Sequence, residues 1–327
     1  MYQSKLSLIE TEIAIKCIKD TFERELARAL NLTRVSAPLF LLRDSGLNDN
    51  LNGVERPVSF DIKQTGETAE IVHSLAKWKR HALAYYGFAP DSGLYTDMNA
   101  IRRDETCDAL HSLYVDQWDW ERVILPEERN EAFLKQIVTR IYGALLATAR
   151  EVERRYPCLH TDLPEQITFI HSQELEDMYP DLTPQQRETE HVRKVGAMFV
   201  IGIGDVLRSG QKHDNRAPDY DDWHLNGDIL LHYPMVERAF ELSSMGIRVD
   251  KETMLRQLEA SGQTDRLNLP FHQAMLHNAL PLTVGGGIGQ SRLCMFLLQK
   301  AHIGEVQNSI WPQSVIEECR KNNIFLL

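Results

Sequence analysis

No two cysteines in this chain stand at CxxC spacing. The five present, Cys17, Cys107, Cys158, Cys294 and Cys319, are scattered and odd in number. This excludes a disulfide framework or a cysteine-zinc site and reads as reduced, intracellular usage. Long apolar runs are also missing. The longest, about Val195 to Ile203, is far short of the ~20 residues of a membrane span. Lys5, Glu10 and Glu12 interrupt any early apolar core, so no signal peptide is read, and a cytoplasmic protein without a membrane partner is expected. Positive charge is scarce: the net charge is -11, which weighs against nucleic acid as a partner. Several nucleotide and hydrolase signatures are absent, namely GxxxxGK[ST], GxGxxG after a strand, HExxH, GxSxG and the HxE…PCxxC deaminase pattern. Any nucleotide chemistry therefore uses another architecture.

What is present is enough for a sizeable core: 327 residues, 43% hydrophobic and 25% charged. Ile9, Ile13, Cys17, Ile18, Phe22, Leu26 and Leu30 recur at helical spacing, predicting an amphipathic N-terminal helix. RVSAPLFLL reads as an edge or interface strand broken by Pro38. Phe133, Leu134, Ile137, Val138, Ile141, Leu145 and Val152 mark a long helix. Thr183, Pro184 and Gln186 open another with a capping box. ITFIHS, VGAMFVIGIG, NGDILLHY and FELSSMGIRVD read as strands, and helices are expected over Asp250–Leu258, around Phe271 to Leu280 and from about Gly289 to Lys300. Strands and helices mix without a βαβ rhythm, so the class is α+β with a largely antiparallel sheet.

Five segments could carry chemistry. GGGIGQSR sets three glycines before Arg292. Such glycines let a flat ring or phosphate approach the backbone, and the following helix start offers N–H groups to an anion. The plainer reading, a tight turn with a surface arginine, is equally good on this segment alone. In FELSSMGIRVD, Glu241 and Ser243 share a face if the strand is regular, and Asp228 of NGDI could add a second carboxylate for Mg²⁺. A wet strand face is the alternative. In GLYTDMNAIRRDE and HSLYVDQWDWE, Arg102 and Arg103 precede acids, and Gln117, Asp119 and Glu121 alternate with Trp118 and Trp120. This suggests a pocket floor rather than an edge strand with one wet face. VHSLAKWKR clusters Ser74, Lys77, Lys79 and Arg80, either as an anion trap or as a solvated helix face. RAPDYDDW carries Arg216, Asp219, Asp221 and Asp222, either as an amino-acid site or as an acidic loop.

Together these segments resemble the three signature motifs of class II aminoacyl-tRNA synthetases, nearest the aspartyl branch. More closely, VHSLAKWKR, GLYT, HSLYVDQWDWE, HSQEL, RAPDYDDW, LNGDIL, ELSSMGIRVD and GGGIGQSRL resemble the ammonia-dependent asparagine synthetases of the A type, the aspartate–ammonia ligases, from about residue 34 to 312. The resemblance implies one class II synthetase-like catalytic domain over 1–327, helix 1–30 included, with an antiparallel sheet flanked by helices, in a homodimer. It implies that ATP and aspartate give a β-aspartyl-adenylate and pyrophosphate with Mg²⁺, and that ammonia then releases asparagine and AMP.

By the same resemblance, Arg102 steadies the α-phosphate, Gln117 holds the reacting carboxylate, and Asp49 receives ammonia. Ser74, Lys79, Asp119, Arg216, Asp221 and Ser244 form the aspartate pocket. His111, Ser112, Glu241, Gly287 and Arg292 bind the nucleotide, with Asp228 and Glu241 on the metal. In the family the stretch between DDW and LNGD is longer and forms a mobile flap; here only His224 intervenes. The rivals are an aspartyl- or asparaginyl-tRNA synthetase-like enzyme, a glutamine-dependent synthetase and a non-catalytic paralogue. The first is opposed by acidic charge and by the lack of room for an N-terminal anticodon-binding barrel. A glutamine-dependent enzyme needs a terminal cysteine, which Met1-Tyr2 does not supply. The paralogue is opposed by the presence of Arg102, Gln117, Glu241 and Arg292.

Overall fold

Strand and helix periods in the sequence resolve into two sheets and a shell of helices in a computed structural model that describes residues 2–49 and 55–327. The chain opens with α1 (Leu8–Leu30), then β1 (Leu32–Arg34), β2 (Phe40–Leu42), β3 (Ser59–Asp61), β4 (Thr68–Ile71), α2 (Ala76–Tyr86), β5 (Gly93–Ile101) and β6 (Tyr114–Val123). The middle carries α3 (Glu131–Arg155), β7 (Thr168–His171), α4 (Ser172–Met178), α5 (Pro184–Val195) and β8 (Ala197–Ile201). It closes with β9 (Asp221–Leu231), β10 (Phe240–Arg248), α6 (Lys251–Ala260), α7 (Pro270–Leu276), β11 (Thr283–Gly289), α8 (Gln290–Leu297) and α9 (Gln313–Lys321).

The large sheet has the order β1-β5-β6-β11-β10-β9-β8-β7. Only its two outer pairings, β1 with β5 and β7 with β8, are parallel. The α+β expectation therefore holds. Trp118 and Trp120 of β6 are fully buried beneath the sheet, where Phe22 of α1 meets Trp118 at 4.9 Å between ring centroids. Opposite-facing residues of the same strand are thereby turned toward the site. Helix α3 buries every apolar position expected of it.

Some expectations shift. On α1 the buried face runs through Thr11, Ala14, Ile18, Thr21 and Phe22, while Ile9 and Ile13 are 72% and 58% exposed. The helical angle puts those two outside the stripe that Ile18, Phe22 and Leu26 define. RVSAPLFLL is split rather than continuous. Arg34 ends β1 in the large sheet, and β2 joins β4 and β3 in a separate three-stranded sheet, with Pro38 in the break. Thr183 caps α5 with the reciprocal Gln186 bond, as its sequence signals. α7 stops at Leu276, short of Leu280. The strand expected to begin near NGDI begins instead at Asp221, so DDW is strand and no flap interrupts it at His224. Of DNLNG, only Asp49 lies within the described residues.

Candidate active site

The upper face of the large sheet carries a cavity of about 280 Å³ where β6, β11 and β10 lie side by side. From β6 come Gln117 and Asp119, next to Gly289 and Gly287 in the antiparallel register. From β10 come Glu241 and Ser244. The expectation that Glu241 and Ser243 share a face of a regular strand meets a register shift between those two residues. Ser243 is turned to donate to the Gly287 carbonyl at 2.9 Å, and Ser244 stands opposite Asp228 on β9.

The glycines of β11 are needed for a reason other than a ligand's approach. A Cβ at Gly285 would collide with the Glu121 carboxylate, one at Gly286 with Met245, and one at Gly287 with the Gln117 amide. The space they leave is filled by the neighbouring strands: the Glu121 carboxylate, Met245 with the Ser244 carbonyl, and the Gln117 amide. The expected free helix start is likewise engaged, because the Ser291 N–H of α8 donates to Asp116 at 3.0 Å.

The basic cluster of VHSLAKWKR is neither solvated nor wholly available. Lys77, Lys79 and Arg80 are all buried. Lys79 pairs with Asp119 and donates to the Trp120 and Gly286 carbonyls at 2.9 and 3.0 Å, so its charge props the floor while it lines the cavity. Arg80 donates to the Pro281 and Val249 carbonyls at 2.8 and 2.7 Å. Burial lowers its pKa to about 10. Lys77 pairs with Asp219 at 3.1 Å, which also meets Arg266 at 3.0 Å and His272 at 2.9 Å. Burial alone would raise the Asp219 carboxyl, but Lys77, the His272 hydrogen bond and Arg266 hold it far below the usual carboxylate range. Asp219 is therefore a tether for the RAPDYDDW segment.

Asp221 is buried and paired with Arg248, which also grips Glu121 through Nη2 at 2.8 Å. Glu121 receives the Thr283 hydroxyl at 2.7 Å. Arg248, Tyr220 and His73 were not among the expected site residues, whereas Glu121 was expected on the pocket floor. The contacts of Arg248 cross two strands, and no spacing in the sequence encodes them.

All the expected site residues border this one cavity except Arg216 and Asp228. Asp49, Ser74 and Asp221 lie along it with the pairs just described, and His111, Ser112 and Arg292 border it as well. Arg216 lies in an adjoining chamber that shares Arg102, Tyr220, Glu241 and Ser244 with the first. Its guanidinium pairs with Asp228 and with Asp214 at 2.7 Å. Asp228 faces a third cleft bordered also by Glu241, His111 and Arg292.

Two groups stand ready for a ligand. The Arg102 Nε is buried with no hydrogen-bond partner among the described residues, and the Gln117 side chain carries none either. Arg292 is more constrained. It donates to the Glu241 carbonyl at 2.7 Å and approaches its carboxylate at 3.5 Å. Burial would raise the Glu241 carboxyl, but Arg292, Arg216 and Arg102 outweigh it and hold it low. Asp228 is raised by burial and by Glu241 and Glu188, against Arg216. An acid held ionised beside one whose charge is opposed by its neighbour suits a hard divalent cation, which would relieve the repulsion. The Asp228 Oδ1 has no hydrogen-bond partner among the described residues, leaving an oxygen to offer.

The family model described as aspartate–ammonia ligase matches residues 9–323. The chain is 60% identical over 327 residues to the aspartate–ammonia ligase of Ruminiclostridium cellulolyticum, covering 100% of this chain and 97% of that one. It is 61% identical over the same length to that of Clostridium perfringens, with the same coverage. Among solved structures, asparaginyl-tRNA synthetase from Pyrococcus horikoshii complexed with asparaginyl-adenylate is similar at TM-score 0.66 and 14% identity, over 93% of this chain and 70% of that one. The Entamoeba histolytica asparaginyl-tRNA synthetase in complex with asparaginyl-adenylate is similar at TM-score 0.60 and 13% identity, over 92% and 66%. The fold is thus that of class II aminoacyl-tRNA synthetase catalytic domains, and the chain belongs to the aspartate–ammonia ligase family.

Proposed function

We infer that this protein makes L-asparagine from L-aspartate and ammonia at the expense of ATP, through a β-aspartyl-adenylate, with release of pyrophosphate and AMP. The observation that carries this reading is the cavity itself. The Arg102 guanidinium, whose Nε has no hydrogen-bond partner among the described residues, and the Gln117 amide face it above a floor of fixed charges, in a chain about 60% identical to aspartate–ammonia ligases along its whole length.

In the first step a β-carboxylate oxygen of aspartate bonds to the α-phosphorus of ATP, and the bond to pyrophosphate breaks. Arg102 offsets the charge that builds on the transferring phosphoryl group, and Gln117 holds the attacking carboxylate. Preorganised donors of this kind need no rearrangement as charge develops. Ser74, Lys79, Asp119, Asp221, Arg216 and Ser244 form the aspartate pocket in this reading. Asp119 and Asp221 face the substrate ammonium, each already paired with a buried cation, Lys79 and Arg248. Arg292 packs on the adenine and reaches the phosphates. His111, Ser112, Glu241 and Gly287 complete the nucleotide site.

Glu241 and Asp228 would hold Mg²⁺, which commonly takes one or two carboxylates and leaves its other positions to phosphates and water. Bound there, it would neutralise phosphate charge. In the second step Asp49 receives ammonia, whose lone pair attacks the β-carbonyl carbon while the bond to AMP breaks.

We further infer one catalytic domain over 1–327, working as a homodimer in the cytoplasm with neither nucleic acid nor membrane as partner. The exposed apolar cluster of Leu39, Phe40, Leu42 and Phe60 supports a subunit interface. The free cysteines support a reducing compartment. No helix among the described residues is long and apolar enough to cross a membrane.

Aspartate-dependent ATP–pyrophosphate exchange tests the adenylation step. Arg102→Ala should lower it by about a hundredfold, the usual cost of losing one charge-stabilising donor, with an unchanged circular dichroism spectrum. Exchange at the wild-type rate contradicts the assignment of Arg102.

A further inference from the structure

At neutral pH, ammonia in water is almost entirely ammonium, which has no lone pair with which to attack an acyl group. A ligase that uses it needs a base on its path. Behind the catalytic cavity lies the second chamber, about 380 Å³, sharing Arg102, Glu105, Tyr220, Glu241 and Ser244 with the first. One residue in its wall has a side chain with no assigned task. His73 is 1% exposed. Its Nδ1 lies 3.2 Å from the Asp49 backbone oxygen, and its Nε2 has no hydrogen-bond partner among the described residues.

That arrangement fixes the ring's chemistry. A carbonyl oxygen only accepts, so Nδ1 carries the hydrogen, and in the neutral ring Nε2 is a bare lone pair. The ring is also held in place. Asn48 Oδ1 accepts from both the His73 and Asp49 backbone N–H groups at 3.0 Å, locking His73 to the stretch that ends in Asp49. A buried acceptor without a donor is costly unless something supplies one. Glu105 borders both chambers, and its carboxylate has no ion-pair partner among the described residues. It offers a carboxylate to an entering cation, in a wall that also carries Glu55, Asp104 and Glu241 beside Arg56, Arg102, Arg103 and Arg216.

We propose that this second chamber admits ammonium, and that His73 Nε2 takes its proton before the nitrogen reaches the adenylate. The steps balance as follows. Ammonium passes one proton to Nε2 and becomes ammonia. Its lone pair forms the C–N bond at the β-carbonyl carbon, and the C–O bond to AMP breaks with its electrons on the phosphate oxygen. The second proton leaves the new amide nitrogen to Asp49. His73 returns its proton to water in the chamber. The proposal rests on ammonia being the acceptor, which the wild-type reaction with ammonium tests separately.

The test compares His73→Asn with wild type using ammonium and hydroxylamine as nucleophiles. Asparagine keeps a donor near Nδ1 and removes the base at Nε2. Hydroxylamine is already neutral at neutral pH and needs no base to free its lone pair. The expected result is ATP–pyrophosphate exchange within about twofold of wild type and kcat/KM for ammonium lower by about a hundredfold, within the range general bases contribute. Hydroxamate formation should stay within a few-fold. Equal loss with both nucleophiles, or no loss with ammonium, overturns the proposal. If exchange also falls, His73→Gln is measured in the same way, and parallel loss of exchange and ammonium use in both variants makes His73 a structural residue only. A wild-type protein that exchanges pyrophosphate but forms no asparagine from ammonium removes the functional reading and the proposal with it.

Discussion

Asp219 illustrates how single residues hold this site without touching the substrate. Fully buried, it meets Lys77, Arg266 and His272 from three different segments. Breaking a buried pair by removing one partner leaves an uncompensated charge, so Asp219→Ala should cost about 3–5 kcal/mol in urea unfolding. The sign with pH follows from its depressed pKa. The carboxyl binds protons more tightly when unfolded, so its contribution is complete above its unfolded value of about 3.9 and is lost as pH falls below that. Thermal unfolding of the wild type should therefore lose stability below about pH 4 more steeply than that of Asp219→Asn. Equal slopes would contradict the account. Some of this was legible in the sequence. The alternation of Gln117, Asp119 and Glu121 against two tryptophans gives the pocket floor directly, because a strand has period two. Lys77, Lys79 and Arg80 misled, because composition suggests a solvated face when nothing shows the partners that bury them. His73 gave no signal for the same reason: its tie is to a backbone carbonyl, which leaves no trace in side-chain patterns.

At the scale of elements, β11 is where sequence and structure part most instructively. Its glycines were legible as a place where something comes close, but that something is the neighbouring strands' side chains. The three positions therefore separate by experiment. At Gly286 a Cβ meets the Met245 Cβ and the Ser244 carbonyl, which are backbone or backbone-anchored, so Gly286→Ala should lower stability by about 1–3 kcal/mol. At Gly287 it meets the far end of Gln117, which can swing away. Gly287→Ala should then unfold near the wild-type midpoint yet lose adenylation as Gln117 leaves its position. The two are separated by denaturant midpoints alongside pyrophosphate exchange; full activity in Gly287→Ala would show that Gln117 does not hold the carboxylate. Helices with local signals, such as α5 with its Thr183 box, were readable to the residue. β9 was not, since acids and a tryptophan at its start read as loop until Arg248 and Arg129 are seen to neutralise them.

For the whole molecule, the order of motifs along the chain is what made the fold legible. Strands β5, β6, β10 and β11 are scattered over almost two hundred residues, and periodicity alone does not say that they share a sheet centre. The matching family pattern supplies that adjacency, and the sheet brings Arg102, Gln117, Glu241 and Arg292 around one cavity. Chelation of divalent metal should abolish pyrophosphate exchange, and added MgCl₂ should restore it, if Glu241 and Asp228 hold the ion. Persistence of exchange in excess chelator would remove the metal from the account. The most direct measurement is one incubation of the purified protein with Mg²⁺, ATP and aspartate, with and without ammonium chloride and without RNA, following asparagine and AMP together. The account requires both to appear in equal amounts, and only with ammonium. AMP without asparagine, or asparagine that forms only when glutamine or tRNA is added, would contradict it.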